Sequence, residues 1–133
     1  MKQKLETILS IAEKKMPESM QNQLLSYGQF ILDWNDKINL ISRKDTENLF
    51  EKHIAPCLSY YLMDLLTKTD VEIIDIGSGG GFPAIINAIT HPNKTFVMID
   101  GTQKKVKLLD EAIKILELKN ATAIWSRGED VFT

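Results

Sequence analysis

From Met1 to Lys68 the apolar residues recur at steps of three and four, the period of helices that bury one face. The clearest stripe is Met20, Leu24, Tyr27, Ile31, Trp34 and Ile38, which fall on one side of a single helix. Pro17, ahead of Glu18 and Ser19, suits the start of that helix. A shorter helix is predicted over Lys4 to Lys15. A third begins near Asp45 or Thr46 and carries Leu49, Phe50, Ile54, Leu58, Tyr61, Leu62 and Leu65. Pro56 lies inside this third segment, where its missing amide is expected to end or kink the helix near Ala55.

After Lys68 the pattern changes to short β-branched runs separated by turn residues. Val71 to Ile76 reads as a strand ended by the glycine cluster Gly77-Ser-Gly-Gly-Gly81. A helix is predicted from Pro83 to about Ile89, a second strand over Thr95 to Ile99, a helix over Lys104 to Leu118, and a third strand over Ala121 to Trp125. The inward face of the second of these helices is Val106, Leu109, Ala112, Ile113 and Leu116. Strand, helix, strand, helix, strand is the first half of a doubly wound parallel sheet. The chain is therefore read as α/β, with a helical region over residues 1–68 and the sheet region over residues 69–133.

Composition narrows the function classes. Sixteen Lys and Arg against eighteen Asp and Glu give a net charge of −2, so no basic domain announces nucleic-acid binding. Any RNA contact would rest on a local patch formed by Lys104, Lys105 and Lys107 at one helix start together with Arg127 after the third strand. Lysines there oppose the helix dipole, so a role other than helix stability is worth seeking. The single Cys57 cannot pair internally and the first residues lack a secretory core, so a cytoplasmic location is expected, and no apolar run nears the roughly 20 residues that span a bilayer. His53 and His91 lie far apart, so no metal site is indicated.

The chemistry concentrates in Asp75-Ile-Gly77-Ser-Gly79-Gly80-Gly81-Phe82-Pro83, set between a strand and a helix. Four glycines in five residues strip side chains from a stretch of backbone, so that a ligand can lie against amides at a helix start. Asp100 ends the second strand 19 residues after Gly81, where a carboxylate can accept both hydroxyls of a ribose. A dinucleotide fingerprint would need glycine where Phe82 stands, and a phosphate-binding Gly-Lys-Ser/Thr is missing. The spacing suits a nucleoside without phosphates, S-adenosyl-L-methionine. Asp75 is expected to order the loop by accepting backbone amides.

Along its whole length the chain resembles the amino-terminal part of the bacterial small-subunit (16S) rRNA guanine-N7 methyltransferase family, also called glucose-inhibited division protein B. The resemblance rests on Trp34-Asn35-Asp-Lys-Ile-Asn39-Leu-Ile-Ser-Arg-Lys-Asp45, His53-Ile54, the Asp75 to Pro83 loop, Ile99-Asp100 with Lys104-Lys105, and Arg127-Gly128-Glu129. It implies a class I methyltransferase sheet of Rossmann type, cut short after its third strand, with 16S ribosomal RNA or the small ribosomal subunit as partner. It implies that Gly77 and Phe82 contact the cofactor, and Gly79 and Gly81 are expected to do so as glycines of the same loop. Gly128 and Glu129 would present backbone to the adenine, and Lys104 and Arg127 would serve the RNA or the catalytic site. Pro56-Cys57, Ala84 and Gly101 stand where the family usually has Asp-Ser, Gly and Ser. His53 reads as a hydrogen-bonded structural histidine, Trp34 as core, and Asn35 and Asn39 as residues that cap the second helix or tie it to the sheet. The alternative to a methyltransferase is a truncated, non-catalytic fragment that binds cofactor or a partner.

Overall fold

A computed structural model describes residues 1–38, 41–66, 68, 71–77, 81–127 and 130. Helices α1 (Lys2–Ile11) and α2 (Glu18–Asn35) come first, then short turns α3 (Arg43–Thr46), a π-turn (Phe50–Ile54), α4 (Ala55–Cys57) and α5 (Ser59–Leu62). The rest alternates: β1 (Glu72–Ile76), α6 (Ala84–Thr90), β2 (Thr95–Asp100), α7 (Gln103–Ile115) and β3 (Ala121–Trp125).

Through Trp34 the predicted stripe is the buried face of α2, while Ile38 lies past the helix end. Leu24, Tyr27 and Ile31 are buried, and Met20, Trp34 and Ile38 pack against the same cluster. Fully burying a side chain of this size is worth about 1.5–3 kcal/mol, so the stripe fixes how α2 sits. The third predicted helix is not continuous. Pro56 has no amide to offer the Lys52 carbonyl, and just before it the Ala55 amide reaches back five residues to the Phe50 carbonyl, closing a π-turn in place of an α-turn. Pro56 then falls in the first turn of α4, where its missing donor is harmless. Asn35 accepts a hydrogen bond from the Ile41 amide at 3.0 Å, tying the segment after α2 back to the helix end. Asn39 lies outside the described residues.

The three strands are parallel and ordered β1-β2-β3. Register places Ile73, Phe96 and Ala121 in one row and Asp75, Met98 and Ala123 in a second row of the same face. That face is covered: Met98, Ala121 and Ala123 join the cluster formed with Ile85, Ile86 and Ile89 of α6 and Leu108, Leu109 and Ala112 of α7. Every residue of α6 is buried, as expected for a short helix lodged between sheet and α2. The helical region and the sheet therefore share one core. The opposite face carries Ile74, Ile76 and Ile124, all substantially exposed. Parallel sheets ordinarily bury both faces, so this apolar surface is unusual for a finished α/β layer.

One residue unforeseen in the sequence stitches the layer together. Asn120 precedes β3, and its Nδ2 lies 2.9–3.1 Å from the carbonyls of Ala88, His91 and Lys94, joining the end of α6 to the approach to β2.

Candidate functional site

A parallel sheet brings the carboxyl ends of all its strands to one edge, and the candidate residues collect there. Gly77 follows β1 with φ +77°, and its amide donates to the Ile99 carbonyl at 2.7 Å, so the glycine loop leaves the sheet directly beside Asp100. A Cβ on Gly77 would meet no atom within 4 Å, so the loop backbone there faces open space. Gly81 differs, with φ +90° and a would-be Cβ that collides with Ile85 and comes within 3.0 Å of the Tyr27 hydroxyl. One glycine thus keeps room for a ligand, and the other lets the chain pass close over α2 and α6. Gly79, between them, lies outside the described residues.

Beneath the loop sits a desolvated group of side chains. Tyr27 is fully buried, which raises its phenol well above the ordinary range, with Cys57 adding to the rise. Burial, with a smaller contribution from the Asp75 carboxylate nearby, pushes the Cys57 thiol up to about 11. Cys57 is therefore a thiol at neutral pH and an inert packing residue. Phe82, which leads from Gly81 toward α6, packs against the rings of Tyr27 and His53, with centroids 5.5 Å and 5.4 Å away.

Asp100 is the last residue of β2 and is 7% exposed. Its Oδ1 accepts from the Thr102 amide at 2.9 Å, and its carbonyl accepts from the Ser126 amide at 3.0 Å, which fixes the carboxylate between the loops after β2 and β3. The Trp125 indole donates to the Gly101 carbonyl at 3.0 Å. Gly101, Trp125, Ser126, Arg127 and Asp130 line an open cavity of about 340 Å³ next to Asp100. The Arg127 side chain is largely exposed and pairs with Asp130 at 3.6 Å, an ion pair worth at most about 1 kcal/mol and therefore easily exchanged for a phosphate. Lys104 is exposed at the second position of α7. Gly128 and Glu129 lie outside the described residues. A cleft of about 370 Å³ between α1 and the π-turn, lined by Lys4, Ile8, Ile11 and Phe50 among others, is remote in the fold from the strand ends.

The edge thus joins a glycine loop facing open space, a buried strand-end carboxylate, and a cavity edged by an indole and a guanidinium. Such a set fits the parts of a nucleoside: backbone amides for a polar tail, a carboxylate for ribose hydroxyls, a flat cavity for a base. Sequence reasoning missed Trp125 and the contact of Tyr27 with the loop. The indole was visible only as a strand residue, and the reach of a helix side chain to a distant loop has no local sequence signal. Among the described residues no group of three His, Cys, Asp or Glu is placed to hold a metal, and no helix is long and apolar enough to cross a membrane.

Comparison with known proteins bears on the fold and the family. The fold is similar to that of a solved structure described as an O-methyltransferase from Klebsiella pneumoniae, with a TM-score of 0.51 at 12% identity over 96% of this chain and 51% of that one. A relative from Chlorobium phaeobacteroides, named ribosomal RNA small subunit methyltransferase G, is 38% identical over 113 residues, 85% of this chain and 50% of its own length. Relatives of the same name from Phocaeicola vulgatus and Chlorobium luteolum are 39% and 36% identical over 86% and 98% of this chain and 54% of theirs. The chain spans about half the length of these curated relatives. The family model described as rRNA small subunit methyltransferase G matches residues 20–132, and the chain belongs to that methyltransferase family.

Proposed function

We propose that this chain provides the S-adenosylmethionine site of an enzyme that methylates N7 of a guanine in 16S ribosomal RNA. The observation that carries the reading is the juxtaposition at one sheet edge of the open backbone at Gly77 and the buried Asp100. In this reading the amides around Gly77, Gly79 and Gly81 hold the amino-acid end of the cofactor, Asp100 accepts the ribose hydroxyls, and the backbone at Gly128 and Glu129 meets the adenine in the cavity beside Gly101. Asp75 orders the loop from below. The bound cofactor supplies a sulfonium methyl that the in-plane lone pair of guanine N7 takes in line, the S–C electrons remaining on sulfur as a thioether.

Because N7 carries no proton, the protein needs no general base, and its task is orientation and charge. In this reading Arg127 and Lys104 supply the positive charge that meets guanine O6 or the flanking phosphates. N7 is inaccessible in the deep groove of A-form RNA, so the substrate guanine is unpaired or splayed out. The division into a helical region (residues 1–68) and a cofactor region (69–133) belongs to the same proposal, as does a cytoplasmic site of action on the small ribosomal subunit.

The second reading, a cofactor-binding piece without turnover, is favoured by the open apolar sheet face at Ile74, Ile76 and Ile124. Calorimetry with S-adenosylhomocysteine, paired with transfer of labelled methyl groups to undermethylated small subunits, tests both. Binding with labelled 7-methylguanosine supports the enzyme, binding without label supports the second reading, and no binding refutes both. Asp100→Ala should weaken binding by about 1.5–3 kcal/mol, the loss of hydrogen bonds to a charged group.

A further inference from the structure

His53 has a place in this fold that a filler of the core would not need. It lies in the π-turn, a geometry that is rare and concentrated at functional sites. Its Nε2 is 3.2 Å from Asp45 Oδ2, across eight residues of sequence, and its ring is tilted 37° against that of Phe82. Asp45 is itself held, since its amide donates to the Ser42 hydroxyl at 3.1 Å in a helix N-cap. A carboxylate that accepts from one imidazole nitrogen fixes the tautomer and the orientation of the ring. Phe82 also packs against Tyr27, which is fully buried and tilted 59° to it. Phe82 thus contacts both α2 and the π-turn, immediately after the positive-φ Gly81 and ahead of Ile85, whose amide bonds the Gly81 carbonyl at 2.7 Å.

We propose that Asp45 and His53 form a positioning pair that sets the ring of Phe82 and, through it, the exit of the glycine loop, so that the segment between α2 and the sheet helps to shape the methyl-donor site. The proposal rests on the reading that the loop binds S-adenosylmethionine. Neither residue needs to touch the cofactor. The chain of action runs from the Ser42 cap to Asp45, from Asp45 to the imidazole, and from the imidazole to Phe82. A purely structural pair would support folding of the π-turn and leave the loop indifferent to its loss.

The test is calorimetric titration of the whole 133-residue chain with S-adenosylhomocysteine, well below the melting temperature of each variant, with exchange rates of the Phe82 and Ile85 amides followed alongside. His53→Ala and Asp45→Ala should each weaken binding roughly two- to tenfold, the scale of one aromatic pair, and both should speed amide exchange at Phe82 and Ile85. The double variant should lose no more than the worse single one, because the pair acts as a unit. Asp45→Asn, which retains an oxygen acceptor, should recover most of the affinity. His53→Gln serves where His53→Ala fails to fold, with the same expected direction. Wild-type binding with unchanged affinity and exchange in the variants overturns this proposal alone, as do additive losses or an Asp45→Asn variant no better than Asp45→Ala. Absence of binding by the wild-type chain overturns the ligand reading and this proposal with it.

Discussion

Replacing Gly81 with alanine places a methyl group where the structure has no room for it. The backbone there has φ +90°, and the new Cβ would collide with Ile85 and press on the Tyr27 hydroxyl from 3.0 Å. A side chain in left-handed backbone costs about 1–2 kcal/mol, and overpacking a filled site adds about 1–3 kcal/mol. The neighbours have little freedom to yield, since Ile85 and Tyr27 are both fully buried. The expected loss is about 2–5 kcal/mol, a large share of the roughly 5–15 kcal/mol of a typical domain, with a fall in melting temperature of roughly 8–20 °C. Gly77→Ala is the matched control. Its φ is +77° and its Cβ would touch nothing within 4 Å, so only the backbone contribution remains, about 1–2 kcal/mol. Urea unfolding followed by circular dichroism on both variants isolates the packing contribution as their difference. If Gly81→Ala were no more destabilising than Gly77→Ala, the close approach of the loop to α2 and α6 would be refuted.

Two further perturbations test other parts of the structure. Asn120→Ala removes a donor group that serves three backbone carbonyls and should destabilise the chain by about 1–3 kcal/mol in the same unfolding assay; a loss below about 0.5 kcal/mol, typical of a plain surface substitution, would contradict that role. Burial lowers the pKa of His91 despite its hydrogen bond to the Asn87 carbonyl, so between the folded and unfolded pKa values the unfolded chain binds more protons. The stability due to neutral His91 is present above the unfolded value near 6.5 and is lost as pH falls through the folded one. His91→Gln should flatten the decline in stability as pH falls below about 6.5, and an unchanged slope would refute the assignment.

What the chain disclosed in advance follows from how local each signal is. The α2 stripe and the β3 limits are written in neighbouring residues, one through the helical period and the other through a short run bounded by turn residues, and both are found where expected. The segment from Asp45 to Leu65 was predicted as a single interrupted helix. Its break at Pro56 was legible, but the π-turn ahead of it depends on which carbonyl the Ala55 amide selects, a choice that periodicity does not record. At the sheet edge, the tight exit after β1 at Gly77 and the acid that ends β2 were legible because a glycine cluster and a strand-end aspartate are local residue types that stand out. His53 beside Phe82 was not, since its reading as a hydrogen-bonded structural histidine named neither the partner, which is Asp45, nor the ring across the helix-sheet boundary. Leu108 was likewise missed as core, because α7 buries a wider face than the narrow stripe assigned to it.

The central claim is that the carboxyl edge of the sheet holds a nucleoside cofactor. It is tested most directly by amide chemical shifts recorded while S-adenosylhomocysteine is added to the isotopically labelled chain. The account predicts saturable shifts at Gly77, Gly81, Phe82, Asp100, Gly101 and Arg127, with α1 unaffected. Shifts confined to the cleft formed by Lys4, Ile8 and Phe50, or no shifts at millimolar ligand, would contradict it.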